Sequence, residues 1–362
     1  MLRDPEVVIT AEPRVASQAE QTVGVSAGTA AVIGLQHLCQ RDKPTTAYLM
    51  IGERCGCDCA FCTQSRSSTA RSHFLSRIVW PPYPLPHVLH AVANSFAQGD
   101  IVRCCFQVTV FPGYFQHTLS VIEQLHALSP IPICTSIVAS SLDAIQALLE
   151  SGVERVTLAL DAVCERVYRE TKGGDWQSRL KLLRLAAERF PGRIGTHLIA
   201  GLGETEQEMC TTLQEMVDRG IMVGLFSFTP VPGTAWASHS PPSLSSYRRI
   251  QVARYLLATG TCRIEDWSFS PTGQILSYGL HPSRLRELLA DGQAFETAGC
   301  PGCNRPYYNE RPGRTIYNYP RPLSTEEIET AISFALTELS DEQPMISPVP
   351  ISNDHETRRS QA

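Results

Sequence analysis

The 362-residue sequence predicts an α/β fold, a (β/α)8 or nearly closed TIM-like barrel with a short C-terminal extension. Two observations carry that expectation. From Thr46 onward, short β-branched runs alternate with amphipathic stretches about every thirty residues, the rhythm of βαβ units around a parallel sheet. The segment that keeps this rhythm, residues 44–305, is only slightly longer than the roughly 200 to 250 residues over which α/β barrels routinely form single domains.

In chain order, residues 1–43 read as a polar, alanine-rich leader, partly disordered, that ends in a short helix within AGTAAVIGLQHLC. Strands are predicted at 46–51, 102–109, 133–138, 155–160, 194–200 and 222–229, with helices between them. Thr205 with Glu208 and Ser324 with Glu327 are capping boxes that open two helices. After a helix at 243–258, EDWSFSP is expected as a seventh strand, HPSRLRELLADG as a helix and FETAG as an eighth strand, which would close the barrel. Residues 306–340 form the extension and 341–362 a disordered tail.

Composition narrows the function classes. With 43% hydrophobic and 19% charged residues and no apolar run near the roughly 18 needed to cross a bilayer, the chain reads as soluble and not membrane-bound. The first forty residues lack a basic segment followed by an apolar stretch, so no secretory signal is expected and the protein is placed in the cytoplasm. Thirteen cysteines, an odd number, argue against a secreted disulfide framework and for reduced thiols that serve metals or the core. A net charge of −5 gives no footprint for nucleic acid. Lysine is confined to Lys43, Lys172 and Lys181, from which no function follows.

The chemistry is concentrated in ERCGCDCAFCTQS, where Cys55, Cys59 and Cys62 form a CxxxCxxC triplet directly after the first strand. Three cysteinates leave one iron of a 4Fe-4S cluster without a protein ligand, whereas electron-transfer clusters normally cap all four. Zinc motifs usually pair CxxC with a second CxxC or with histidines, so a zinc site or free core thiols are the rival readings. Cys57 lies outside the spacing and is read as non-ligating. Active sites of barrels collect at the C-terminal ends of the strands, where this loop sits. Side chains alternate along RCCFQV, so Cys105 shares a face with Arg103 and Gln107 and is assigned to the lumen, with Cys104 packed outward. Cys134 stands at a similar height on the next strand. If FETAG is the eighth strand, Cys300 and Cys303 emerge on the active face, and four thiols converge on a second iron-sulfur cluster; buried core thiols, or structural zinc at the CxxC, are the alternatives. His197 faces the lumen by pattern, and a lone histidine there is more often a hydrogen-bonded core residue. Arg305, Arg311, Arg314 and Arg321 could steer an acidic protein or belong to a solvated surface. Cys39, Cys164, Cys210 and Cys262 are assigned to packing or surface.

The CxxxCxxC spacing, with Phe61 in the aromatic slot before the third thiol, resembles that of the radical S-adenosylmethionine (SAM) enzymes. CAFCTQS, RCCFQ, ICTS, THLIAGLGET and FTPVPGTAW resemble segments of biotin and lipoyl synthases over about residues 45–305, and the CPGCNRPYYNE tail resembles that of two-protein lipoyl synthases. The resemblance implies SAM bound at the open iron, with Phe61, Asp161, Gly201, Gly203 and Glu204 against it and Asp161 on the ribose, although a helix-capping role is the alternative for Asp161 and Glu204. It implies sulfur insertion into octanoyl groups on a lipoyl carrier protein, a sister radical SAM protein, and a reductant such as ferredoxin or flavodoxin. The chain departs from biotin synthase at Gly195, where a cluster cysteine is expected, near Arg263, which offers no clear counterpart to that family's arginine ligand, and in the tail. Rivals are a biotin synthase-like or cofactor-maturation enzyme and, in another class, a non-catalytic iron-sulfur or zinc-binding protein.

Overall fold

A computed structural model describes residues 21–310, 313–337 and 339. Its frame is an eight-stranded sheet built from β1 (Thr22–Val25), β2 (Thr46–Ile51), β5 (Pro82–Pro84), β6 (Arg103–Val108), β7 (Ile133–Ser136), β8 (Val153–Thr157), β9 (Ile194–Ala200) and β10 (Met222–Ser227), with a small β3–β4 hairpin (Phe74–Leu75 and Ile78–Val79) beside it. Helices α1 (Ala27–Val32), α2 (Leu85–Gln98), α3 (Tyr114–Leu128), α4 (Leu142–Glu150), α5 (Glu165–Thr171), α6 (Trp176–Arg189) and α7 (Glu206–Asp218) cover its outer face; α8 (Leu244–Ala258), α9 (Pro282–Leu289) and α10 (Thr325–Leu336) follow. The order is β10-β9-β8-β7-β6-β2-β1-β5, and the neighbours from β2 to β10 are all parallel. Each predicted strand of the 46–229 region is present within a few residues, and both capping boxes form. Strand β2 is buried on both faces, as a central parallel strand between helices and a filled lumen must be. The positive φ of Gly173 and Gly174 separates α5 from α6, where one helix was expected.

The sheet curves far enough for Tyr48 of β2 and Met222, Gly224 and Phe226 of β10 to line one cavity, but it does not close. The seventh and eighth strands are not there. Ser268–Phe269 (β11) pairs only with Ile275–Ser277 (β12), because the turn at Gly273, with φ +80°, folds EDWSFSP back on itself. In FETAG, Phe295 ends a one-turn 3-10 helix, and Glu296 makes a single bridge to Tyr319. The seam between β2 and β10 is instead filled by residues 298–310. On the β2 side Thr45 N–H donates to Asn304 Oδ1 (3.0 Å) and Arg305 N–H to Tyr48 Oη (2.9 Å); on the β10 side Asn309 Nδ2 donates to Ser227 O (2.8 Å). Gly302 holds φ +75° there, and a Cβ on it would lie 2.7 Å from Val102 Cγ2, so this turn of CPGC needs glycine.

The expected leader also differs from residue 22 onward: β1 joins the sheet antiparallel to β2, and α1 is capped by the Ser26 side chain, so residues 22–43 are part of the domain. The expected disorder of 1–20 and of 341–362 lies outside the described residues.

Candidate functional site

The cysteine loop leaves β2 through Gly52, whose φ is +83° and whose Cβ would sit 2.3 Å from Thr109 Oγ1. The loop is pinned by backbone bonds from Cys55 N–H to Gln64 O (2.8 Å), Gly56 N–H to Val110 O (2.6 Å) and Ala60 N–H to Thr171 O (2.7 Å), and by Arg54 Nη1 donating to Thr63 O (2.8 Å). Backbone amides also point at the sulfurs. Val110 N–H (3.2 Å) and Cys57 N–H (3.4 Å) donate to Cys55 Sγ, and Gln64 N–H (3.4 Å) donates to Cys62 Sγ. The Cys57 side chain and these amides hold the Cys55 thiol down at about 6, while burial pushes Cys59 up to about 11 and Cys62 to about 12. Cys55 is therefore the more readily ionised thiol of the pair, and Cys57 is pushed the other way.

Beside the loop lies a cleft of about 460 Å³, lined by Cys55, Cys59, Cys62, Asp161, Lys172 and His197 among others. Asp161 occupies the end of the fourth parallel strand's loop at φ +64°, and its Oδ2 accepts from Lys172 Nζ at 2.6 Å. Lys172 also donates to Ala159 O (2.7 Å). Burial alone would discharge this ammonium, but Asp161 and Cys59 outweigh it and its pKa is raised. The charge pair faces the three thiols, and sequence reasoning missed Lys172 because nothing local marks a lysine after a short helix. The arrangement fits an iron cluster with one uncapped iron and an amino-acid-bearing cosubstrate: three thiols on one loop, amides aimed at sulfur, and one cation and one carboxylate beside open volume. Gly201, Gly203 and Glu204, expected against the cofactor, line neither this cleft nor the lumen. Glu204 spends its carboxylate on its own turn, accepting from Gly201 N–H (2.7 Å) and Leu202 N–H (2.9 Å), and Gly201 is packed against Pro242.

The lumen is a cavity of about 180 Å³ that shares Phe61, Cys62, Gln107, Asp161 and His197 with the cleft, so the two adjoin. Its lower part is lined by Cys105, Cys134, Cys300 and Cys303, the four thiols grouped from the sequence. The strand parity holds: Cys104 is fully buried in the helix-facing core and Cys105 faces inward, with Gln107 Nε2 donating to its sulfur at 3.1 Å. Cys105 and Cys134 are register partners, and the Cys134 thiol is hydrogen-bonded to the side chains of Cys105 and Cys300. Cys303 Sγ lies 3.3 Å from Tyr48 Oη. The CxxC enters from the opposite end to the one expected. With no eighth strand, Cys300 reaches the lumen at its floor, beside Arg103 and Arg155 near the N-terminal ends of the strands, and the tail then climbs the seam. Among the described residues no three His, Cys, Asp or Glu side chains gather as ligands of a single metal ion. A cluster asks for wider spacing than one zinc does, since each thiolate takes a different iron.

His197 sits where cleft and lumen meet, with Phe226 edge-on at 5.0 Å. What it faces is this enclosed space, so burial pushes it down to about 4 and keeps it neutral at pH 7. The tail arginines do not form a basic surface. Arg305 is buried with its guanidinium 3.9 Å over the Phe226 ring, Arg321 pairs with Asp42 and Glu327, Arg314 is exposed, and Arg311 lies outside the described residues. Arg263 is a surface partner of Asp218. Cys210 is core, Cys164 precedes α5, Cys262 accepts from Trp267 Nε1 (3.2 Å) and Cys39 is exposed. No helix among the described residues is long and apolar enough to cross a membrane.

Comparison with known proteins agrees with this geometry. The family model of the radical SAM superfamily matches residues 49–216, from inside β2 to near the end of α7. Biotin synthase of Desulforudis audaxviator is 28% identical over 217 residues, 58% of this chain and 63% of that protein. Lipoyl synthase of Chlamydia felis is 25% identical over 187 residues, 50% of this chain and 57% of that protein. The chain thus spans less than two thirds of the length of these relatives. Among solved structures, methylornithine synthase superposes with a TM-score of 0.48 at 14% identity over 59% of this chain and 62% of its own. Residues 49–216 thus match the radical SAM superfamily and show low-identity homology to biotin synthase and lipoyl synthase, a likeness that implies a 4Fe-4S cluster and SAM.

Proposed function

We propose that this chain inserts sulfur into an unactivated C–H bond of a fatty-acyl group, the octanoyl group on a lipoyl carrier protein, as a component of a lipoyl synthase. The observation that carries the reading is the convergence of Cys105, Cys134, Cys300 and Cys303 in the lumen that opens directly onto the CxxxCxxC loop. In the reading, Cys55, Cys59 and Cys62 hold a cluster that cleaves SAM to a 5′-deoxyadenosyl radical, and the four lower thiols hold a second cluster that is the sulfur source. The chain's own contribution is orientation and exclusion of water. Lys172 and Asp161 present one charge of each sign to the zwitterionic cosubstrate beside the loop. The tail closes the seam with Arg305, Tyr308 and Asn309, so that a reactive carbon held between the thiol groups meets protein rather than solvent. Neutral His197 at the junction adds no charge to that path. A sister radical SAM protein and a ferredoxin or flavodoxin reductant complete the proposed system.

The test is anaerobic reconstitution of wild type and a Cys300→Ala, Cys303→Ala double variant, iron and sulfide counting, and assay with SAM and an octanoylated carrier peptide. About eight irons falling to about four, with 5′-deoxyadenosine still released and thiolated product lost, is the expected result. About four irons in both proteins rejects the sulfur-donor reading and leaves a one-cluster reaction of the kind a cofactor-maturation enzyme performs.

A further inference from the structure

Two arginines at the floor of the lumen, Arg103 and Arg155, keep N–H groups that no protein oxygen or nitrogen answers, although Arg103 is paired with Glu154. Arg103 is 5% exposed; its Nε donates to Pro301 O (3.2 Å) and its Nη2 to Glu154 Oε1 (3.1 Å), but Nη1 is buried with no hydrogen-bond partner. Arg155 stands in register with Cys134 on the neighbouring strand. Its Nη2 donates to Gly192 O (3.2 Å), while Nε and Nη1 are buried with no oxygen or nitrogen acceptor, and the side chain's other hydrogen-bond partner is the Cys300 thiol. Thr46 Oγ1 and Tyr308 Oη, also on the lumen wall, are two further orphans of the same kind. A buried polar group left unpaired is costly, and more so when charged, so orphaned donors beside the lower thiols ask for a missing acceptor.

The groups these two arginines share are thiols. Arg103 and Arg155 both act on Cys300, and Arg103 acts on Cys134 as well. A protonated thiol is a weak acceptor and cannot satisfy a guanidinium. A metal-sulfide group ligated by four cysteinates can, because it is net anionic and presents sulfur lone pairs on every side. We propose that Arg103 and Arg155 form an anion floor whose free N–H groups donate to the sulfurs of the metal-sulfide group held by Cys134 and Cys300. This rests on the second-cluster reading above and adds a role to it: the floor holds the group in place and raises its reduction potential, since positive charge and hydrogen bonds at sulfur favour the more negative, reduced state. Arg305, buried beside Cys303, supplies a third positive charge from the seam.

The test uses the full chain with Cys55, Cys59 and Cys62 changed to Ala, so that only the lower site can take up iron. The parent, Arg155→Gln, Arg103→Gln and Arg155→Lys forms are reconstituted anaerobically with ferrous iron and sulfide, then titrated by spin resonance under controlled potential. The parent is expected to hold about four irons. Each glutamine variant is expected either to retain less than half of that iron after desalting or to show a tenfold smaller reduced fraction at a fixed poise, a shift of about 59 mV for a one-electron couple. Arg155→Lys keeps the charge and recovers part of the loss, which a purely structural arginine would not distinguish from glutamine. Unchanged iron and potential in both glutamine variants overturns the anion floor while leaving the second cluster standing. No iron in the parent removes the second cluster itself, and the floor with it.

Discussion

Cys55 and Cys57, two residues apart on one loop, differ sharply in their surroundings. Their side chains are hydrogen-bonded to each other, yet two backbone amides converge on Cys55 and the pair splits, one thiol towards thiolate and the other away from it. Cys57→Ser is therefore expected to keep the iron of the upper site and SAM cleavage within about threefold of wild type, whereas Cys55→Ser loses about four irons and all 5′-deoxyadenosine release; iron analysis and chromatography read both. His197 gives the residue-scale pH dependence. Its folded pKa, about 4, lies below that of the unfolded chain, so below about pH 6.5 the unfolded state binds the extra proton. Stability contributed by the neutral ring is full above that pH and is lost as pH falls towards 4, by on the order of 1 to 2 kcal/mol once partial access from the cavity is discounted. His197→Gln should flatten the urea-midpoint profile between those limits, and an equally steep profile in the variant would assign the slope elsewhere.

At the scale of elements, the segment that matters most is the one with no regular structure. Residues 298–310 do the work expected of two further strands, and they do it through side-chain and turn bonds rather than a ladder. That is why sequence pattern misplaced them: FETAG has strand-like residues, but Phe295 is buried beneath α8, where Gln251 Nε2 donates to its carbonyl (3.3 Å), and the chain turns at once into the CPGC loop. The six parallel strands, by contrast, were legible because short strand-like runs recur between amphipathic stretches at about thirty-residue spacing. Gly302→Ala tests the seam directly. The added methyl meets Val102 at 2.7 Å in a left-handed conformation, so a loss of about 1 to 3 kcal/mol is expected. Cys303, one residue on, should become labelled by a thiol reagent at least tenfold faster in the metal-free variant, with peptide mapping as the readout; unchanged labelling would mean that the seam does not depend on this turn.

Taken whole, the molecule places two sets of thiols along two adjoining cavities, and the sequence foretold the sets better than their geometry. The cysteine spacings are local and visible. Tyr48, Arg305 and Gly224 are brought together only by the seam segment, Lys172 meets Asp161 across the outer cleft, and no local pattern marks any of them. Gly224 is the point at which the two sets can be uncoupled. It lies on β10 level with His197, and a Cβ there would already sit 3.0 Å from His197 Cδ2 and 3.3 Å from Arg305 Nη1. A leucine at this position projects into the waist of the cavity, where His197 and Arg305 stand. Gly224→Leu is expected to release 5′-deoxyadenosine within about threefold of wild type but to form sulfur-bearing product at least about 100-fold more slowly, the scale of loss that a displacement near 1 Å can cause. The two yields are read from one reaction mixture. If product and 5′-deoxyadenosine fall together, the waist is not the route between the two thiol groups, and the chemistry runs through the outer cleft alone.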